Sequence, residues 1–453
     1  MPPDHISHLQ CVLCGTTYDP AKVTYTCPTC GPLGVLEVYY DYEQVAPRIS
    51  RAHLAQERDT TIWRYRALLP ISYSQKEIPT LAIGGTPLYQ VERLRKYLGM
   101  SDLWLKDDTR NPSASLKDRA SIIAVTRAEG KTVACASTGN AASSLAVQAA
   151  SVGLSCYIFV PQNAPRAKIV QLLMCGATVF AVQGSYDDAF DMCIEACNTF
   201  GWYNRNTGYN PYLVEGKKTA GLEIAEQLGW HVPESVIVPT GDGCIISGVY
   251  RGFEDLYLLG IIDHIPRLIA VQAEGSPAIV RALEGDGVVR PCEAHTIADG
   301  ISVGLPRNGA MAVRHIRASH GFGVTVSDAE ILTAEKELAR RTGVFAEPSG
   351  AASYAGLLRL LDSGKIARDE RVVLLVTGSG LKSIDAVVEA AGSVVPIEKG
   401  SAGMNVVEKT VQSLSSTKEP DTYRGSRASN KEPSAGRGLR GFLKKLVSKK
   451  WGS

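Results

Sequence analysis

The chain has 453 residues, 45% of them hydrophobic and 21% charged, which is enough to bury two ordinary cores, and no stretch approaches the length needed to cross a bilayer. Its start, Met1-Pro-Pro-Asp-His-Ile-Ser-His8, lacks a basic patch leading into an apolar run, so a cytoplasmic location is expected. The formal charge of +2 is uneven: residues 424 to 453 carry nine Lys or Arg and one Glu, or +8, which leaves the body at −6 without a general basic surface for nucleic acid.

The first predicted element is a pair of knuckles. Cys11-Val-Leu-Cys14 and Cys27-Pro-Thr-Cys30 are separated by twelve residues and followed by Gly15 and Gly31. Four thiolates at that spacing suit one tetrahedral zinc ion, and a segment this short has too little apolar content to hold a core without metal or neighbours. A redox role for each pair would need a thioredoxin-like strand-helix context, which the sequence lacks. The other seven cysteines, such as Cys135, Cys156 and Cys175, sit in apolar or helical surroundings and read as reduced and structural.

After a connector containing Trp63 and Tyr65, short apolar runs alternate with helical stretches. Predicted strands cover residues 103–106, 132–136, 156–160, 178–182, 236–239, 268–272 and 372–377. Strands too apolar to have a wet face, separated by helices, predict parallel sheets covered on both sides, with ligands beyond their carboxyl ends. From Ser401 to residue 435 the Ser-, Lys- and Gly-rich sequence predicts a flexible linker. Leu439, Phe442, Leu443, Leu446 and Val447 then recur at helical spacing opposite Arg440, Lys444, Lys445 and Lys449. That short amphipathic helix suits an anionic membrane surface, a protein partner or a solvated chain end.

Several strand-to-helix junctions carry chemistry. Lys117 lies in Asn111-Pro-Ser-Ala-Ser-Leu-Lys-Asp-Arg-Ala120, where small hydroxyl residues and partial burial favour a neutral, nucleophilic amine; alone, the run also reads as a helix start with a solvated lysine. In Cys135-Ala-Ser-Thr-Gly-Asn-Ala-Ala142, Ser137 and Thr138 either bind a carboxylate or merely cap a helix. Val238-Pro-Thr-Gly-Asp-Gly-Cys-Ile-Ile-Ser-Gly248 has glycines that admit a phosphate but neither the Walker ending nor the dinucleotide glycine spacing. Leu374-Leu-Val-Thr-Gly-Ser-Gly-Leu-Lys382 ends a strand with Thr377, whose hydroxyl could face a cofactor edge or belong to an ordinary glycine turn. Together these segments fit pyridoxal 5'-phosphate, with Lys117 as its Schiff-base lysine.

With Ile83-Gly-Gly-Thr-Pro-Leu88, Trp104-Leu-Lys-Asp-Asp108, Glu215-Gly-Lys-Lys-Thr219 and Phe345-Ala-Glu-Pro-Ser-Gly350 added, residues 10 to 395 resemble the threonine synthase family of fold-type II pyridoxal-phosphate enzymes. The resemblance implies an α/β, tryptophan synthase β-like fold with two parallel-sheet domains behind a small zinc ribbon. Its expected division is a ribbon at 1–42, a large domain at 43–120 and 206–395, a small domain at 121–205, and a linker with terminal helix at 396–453. It further implies that Lys117 acts as acid and base, that Asn140 meets the cofactor phenolate oxygen, and that Gly241, Asp242, Gly243, Cys244 and Ile245 cradle the cofactor phosphate. Thr377 would meet the pyridine nitrogen, Ser137, Thr138 and Lys217 the substrate, and Cys11, Cys14, Cys27 and Cys30 the zinc.

The implied reaction is conversion of O-phospho-L-homoserine and water to L-threonine and phosphate by a homodimer. Two departures bear on it: Tyr212 stands where many family members have Arg, and Asp242 where they often have Asn. Arg205, Lys217 and Lys218 are candidate compensating cations. A sibling enzyme doing β-elimination or β-replacement, of the threonine/serine dehydratase or cysteate-synthase type, is the alternative within the class. A non-catalytic scaffold or partner-binding protein is the alternative outside it.

Overall fold

The computed structural model describes residues 5–75, 78–164, 166–391 and 393–416, together with 422, 423 and 425. Among the described residues, thirteen strands form three sheets. They are β1 (Ile6–Cys11), β2 (Thr17–Tyr18), β3 (Leu36–Tyr40), β4 (Leu88–Gln90), β5 (Asp102–Asp107), β6 (Val133–Ala136), β7 (Cys156–Pro161), β8 (Thr178–Val182), β9 (Tyr203–Asn204), β10 (Ser235–Pro239), β11 (Arg267–Ala273), β12 (Phe322–Val326) and β13 (Arg371–Val376).

The largest sheet has the order β12-β11-β10-β13-β5-β4, and the second has the order β8-β7-β6-β9. All of their pairings are parallel except β4 with β5, which is antiparallel, so the expectation of wholly parallel sheets is corrected at that edge. Only three residues long, β4 returns directly along β5 without a crossover helix. In the large sheet, alternate residues serve two cores. Leu103, Leu105, Ile237, Val372 and Leu374 pack under the helices Asp328–Thr342 and Pro348–Asp362, whereas Val236, Val238, Val373 and Leu375 pack on the other face with Leu222, Val249 and Phe253. The second sheet is covered less completely. In β8, Thr178, Phe180 and Ala181 are exposed, because this strand is an edge, and the predicted absence of a wet face fails there.

The cysteine-rich N-terminal segment forms the small antiparallel sheet β2-β1-β3 and is not an appendage. Leu9, Leu36, Val38 and Tyr40 belong to the main core cluster. A buried ionic chain then ties β3 to the body. Tyr40 Oη donates to Glu215 Oε2 at 2.7 Å, Lys218 Nζ meets Asp255 Oδ2 at 2.7 Å, and Glu37 Oε1 meets His315 Nε2 at 2.6 Å.

At the other end, residues 401–416 form a helix, which corrects the predicted linker over that stretch. Gly403, Val407 and Thr410 form its partly covered side, a helical spacing hidden within a polar composition. Tyr423 returns to the body, with its hydroxyl donating to Asp362 Oδ1 at 3.0 Å. The predicted basic helix at 439–451 lies outside the described residues. Among the described residues, no helix is long and apolar enough to cross a membrane.

Candidate active site

Five strand ends converge. Lys117 opens the helix Lys117–Arg127 after β5, Ser137 to Asn140 follow β6, and Arg205 follows β9. Residues 241–245 follow β10, and Thr377 follows β13. All lie beyond carboxyl ends, where an open parallel sheet leaves its ligand crevice.

Backbone hydrogen bonds fix the Lys117 run to two other segments. Leu116 N donates to Thr377 O at 2.9 Å, Ser379 N to Ala114 O at 3.0 Å, and Glu347 N to Gly378 O at 2.9 Å. Ala114 adopts φ 57°, a left-handed conformation for a non-glycine residue held by this pairing. Lys382 Nζ adds donors to Ser113 O at 2.9 Å and Ser143 Oγ at 2.8 Å. Thr377 is therefore fixed beside the start of the Lys117 helix.

Burial lowers the Lys117 ammonium below the ordinary lysine range, partly countered by Glu347. Desolvation of this kind enlarges the neutral fraction that a nucleophilic amine or a base requires. Glu347 is the principal residue that sequence reasoning missed. It is 6% exposed, burial raises its carboxyl, and it accepts from Asn140 Nδ2 at 2.8 and 3.0 Å. Its signal was the Ala-Glu-Pro-Ser-Gly run, quoted above without a role for the carboxylate.

The two anion candidates are both helix starts without side-chain caps. The helix Asn140–Val152 has Gly139 at its N-cap, and Ser137 Oγ accepts only from the Gly139 N–H at 3.1 Å, so Ser137 and Thr138 do not cap this helix. The helix Cys244–Leu258 has Gly243 at its N-cap with φ 90°. A side chain there would be strained, and its Cβ would lie 2.6 Å from that of Ala312, so glycine is required for the tight entry. Asp242 Oδ1 accepts from Arg307 N at 3.1 Å, and burial raises its carboxyl toward the neutral form. Ile245 is partly exposed, whereas Cys244 is buried with its thiol raised by burial.

Lys217 lies in the helix Tyr212–Gln227, fully buried, with burial lowering its ammonium to about 8. At the start of the same helix, Tyr212 is 1% exposed, with the Arg127 guanidinium 3.5 Å from the ring centroid. Tyr212 is thus a core residue with a cation stacked on it.

The four N-terminal cysteines also meet, their sulfurs all within 4.8 Å of one another. The Cys14–Cys27 separation is 3.8 Å, matching the edge of a sulfur tetrahedron of about 3.8 Å around zinc at about 2.3 Å. Burial acts to raise the Cys27 thiol, but hydrogen bonds from Tyr18 and the Cys30 and Thr29 backbone bring it down to about 6.

Residues 79–378 match the family model of pyridoxal-phosphate dependent enzymes, the class that the fold and this lysine-centred cleft define. The threonine synthase of Methanocaldococcus jannaschii is 40% identical over 411 residues, 89% of this chain and 99% of that protein. That of Methanosarcina acetivorans is 40% identical, covering 84% of this chain and 94% of its own. The threonine synthase of Mycobacterium bovis is 37% identical, covering 74% and 91%. This chain belongs to the threonine synthase family. Among solved structures, threonine deaminase isoform 2 of Solanum lycopersicum superposes with a TM-score of 0.57 at 24% identity, over 68% of this chain and 88% of that one. Maize serine racemase does so with a TM-score of 0.56 at 22% identity, over 68% and 93%. These two likenesses show the fold-type II architecture.

Proposed function

We propose that this chain is a lyase converting O-phospho-L-homoserine and water to L-threonine and phosphate, with pyridoxal 5'-phosphate as its cofactor. The observation that carries the reading is the convergence of two uncapped helix starts on one desolvated lysine, in a chain 40% identical to a threonine synthase along 99% of that protein.

The cofactor supplies an electron sink for the bond that breaks at the substrate Cα. Residues 241–245 suit its phosphate, since no side chain caps the helix Cys244–Leu258. In this reading Thr377 would face the pyridine nitrogen, where a neutral hydroxyl would favour the unprotonated form. Asn140, whose amide donates to Glu347 here, would offer it to the phenolate oxygen. Ser137, Thr138 and the start of the helix Asn140–Val152 hold the substrate carboxylate. Lys117 Nζ would take the proton from Cα and then one from Cβ, so that phosphate can leave Cγ; a proton then goes to Cγ, water adds its hydroxyl at Cβ, and Cα is reprotonated. The cleft is divided between a large domain at 43–120 and 206–395 and a small one at 121–205. The cysteine cluster is read as structural zinc and the assembly as a homodimer; metal analysis of reduced protein and light scattering at twice 48.6 kDa check these two points.

The deciding experiment follows products from cofactor-loaded protein given O-phospho-L-homoserine, with L-threonine, L-serine and O-phospho-L-serine in parallel. Threonine and phosphate in equal amounts are expected from the first substrate. A keto acid from one of the others, with no turnover of the first, would assign the sibling reaction instead. No product from any of them would leave the scaffold reading.

A further inference from the structure

Two buried cations have no partner that explains them. Arg205 and Lys217 are both 0% exposed. Arg205 Nε donates to Ser121 Oγ at 3.0 Å and Nη1 to Thr207 Oγ1 at 3.0 Å, both neutral, while its Nη2 and Lys217 Nζ have no hydrogen-bond partner. Among the described residues, four other buried cations away from the cleft are treated differently. Lys106, Arg119, Lys218 and Arg251, none more than 2% exposed at the side chain, each pair with a carboxylate. An unpaired buried charge costs several kcal/mol, of order, unless a ligand compensates it.

Their position says which ligand. Ser121 lies four residues after Lys117 in one helix, so the two share a face, and the charge of the guanidinium held by Ser121 acts on the Lys117 amine. Lys217, but not Arg205, lines a small cavity with Leu36, Gly208, Leu213, Cys244 and Asn308, at the start of the helix that follows the glycine loop. The charges of Arg205 and Lys117 both act on Lys217, and the acidic groups that act on it most strongly are Cys244 and Asp242. Three cationic side chains, Lys117, Arg205 and Lys217, are thus gathered together with the carboxylate of Asp242.

We infer that Arg205 and Lys217 are the specificity-determining pair of this cleft, binding the dianionic phosphate that the amino-acid substrate carries on its side chain. The inference rests on the threonine synthase reading for the identity of that substrate. The two side chains come from the end of β9 and from the second turn of the helix Tyr212–Gln227. The cofactor phosphate has the glycine loop and its helix start, which leaves the two side chains for a second dianion.

The test compares cofactor-loaded wild type with Arg205→Gln, Lys217→Gln and the charge-conserving Arg205→Lys. It reads kcat/KM for O-phospho-L-homoserine, the calorimetric Kd of inorganic phosphate, and cofactor affinity by absorbance. Each Gln variant is expected to lower kcat/KM and weaken inorganic phosphate by about tenfold to a hundredfold, with Arg205→Lys recovering part of the loss and cofactor affinity held. Unchanged phosphate binding in folded Gln variants overturns the inference, as does loss of cofactor affinity in their place. If a Gln variant does not fold, an Arg205→Lys variant that binds inorganic phosphate no more weakly than wild type overturns it equally. Should wild type bind inorganic phosphate through this pair yet leave O-phospho-L-homoserine untouched, the pair stands as an oxyanion site and the threonine synthase reading falls.

Discussion

Opposite faces of one short helix carry two contrasting sets of buried charge. Lys117 and Arg119 are two residues apart in the helix Lys117–Arg127, so they point about 200° away from one another. Arg119 enters a sealed network: Nε meets Asp108 Oδ2 at 2.7 Å, Nη1 meets Glu223 Oε1 at 2.6 Å and Thr219 Oγ1 at 2.8 Å, and Lys106 Nζ meets Glu223 Oε2 at 2.6 Å. On the other face, Lys117 shares its surroundings with Arg205 and Lys217, and the latter two have unpartnered donors. Complete pairing holds a helix in place, and incomplete pairing beside the cleft lysine leaves charge available to reactants. The helices Lys117–Arg127 and Tyr212–Gln227 approach closely enough to build both sets because Gly216 packs on the Arg119 carbonyl, where a Cβ would lie 2.0 Å from the oxygen.

The contrast is sharpened most by Lys117→Ala. Turnover should fall by on the order of a thousandfold or more, with unchanged thermal unfolding, because the sealed side is untouched. Retained phosphate release in that variant would remove Lys117 from its role. Next is Glu223→Gln, which strips Arg119 and Lys106 of their shared carboxylate and should cost about 3–5 kcal/mol in denaturant unfolding.

The same residue gives a pH signature. Burial acts to raise the Glu223 carboxyl, but Arg119 and Lys106 hold it at about 2 against an ordinary 4.5. A depressed carboxylate contributes stability that is fully present above pH 4.5 and lost as pH falls toward 2, a difference of about 3 kcal/mol. Wild type should lose that increment on acidification and Glu223→Gln should not; parallel acid profiles for the two would contradict the assignment.

A smaller effect is expected at the cysteine cluster. Cys27→Ser should abolish bound zinc by mass spectrometry and cost about 1–3 kcal/mol, since Leu36, Val38 and Tyr40 keep β3 in the main core. Deleting residues 436–453 should change neither turnover nor stability, and a collapse of turnover would place that tail in the catalytic body.

Much of this was legible in the sequence. The seven predicted strands fall within one residue of β5, β6, β7, β8, β10, β11 and β13 at each end, because doubly covered parallel strands are written as apolar runs between glycine and hydroxyl turns. Residues 322–326, Phe-Gly-Val-Thr-Val, escaped notice because β12 is an edge with a glycine and only Val326 buried. The two- and three-residue strands β9 and β4 were too short to show a period. Pairings across long sequence separations were also hidden: Asn140 with Glu347, Arg119 with Glu223 and Tyr40 with Glu215. Composition marks these residues as charged or polar, but only the fold decides which are paired.

The direct measurement is therefore a crossed one, with thermal stability and inorganic phosphate affinity determined side by side on Glu223→Gln and Arg205→Gln. A large loss of stability with phosphate binding retained in the first, and the reverse in the second, is the predicted result. Equal losses of stability in both, with phosphate affinity unmoved by either, would contradict the division between charges that hold the fold and charges that hold the substrate.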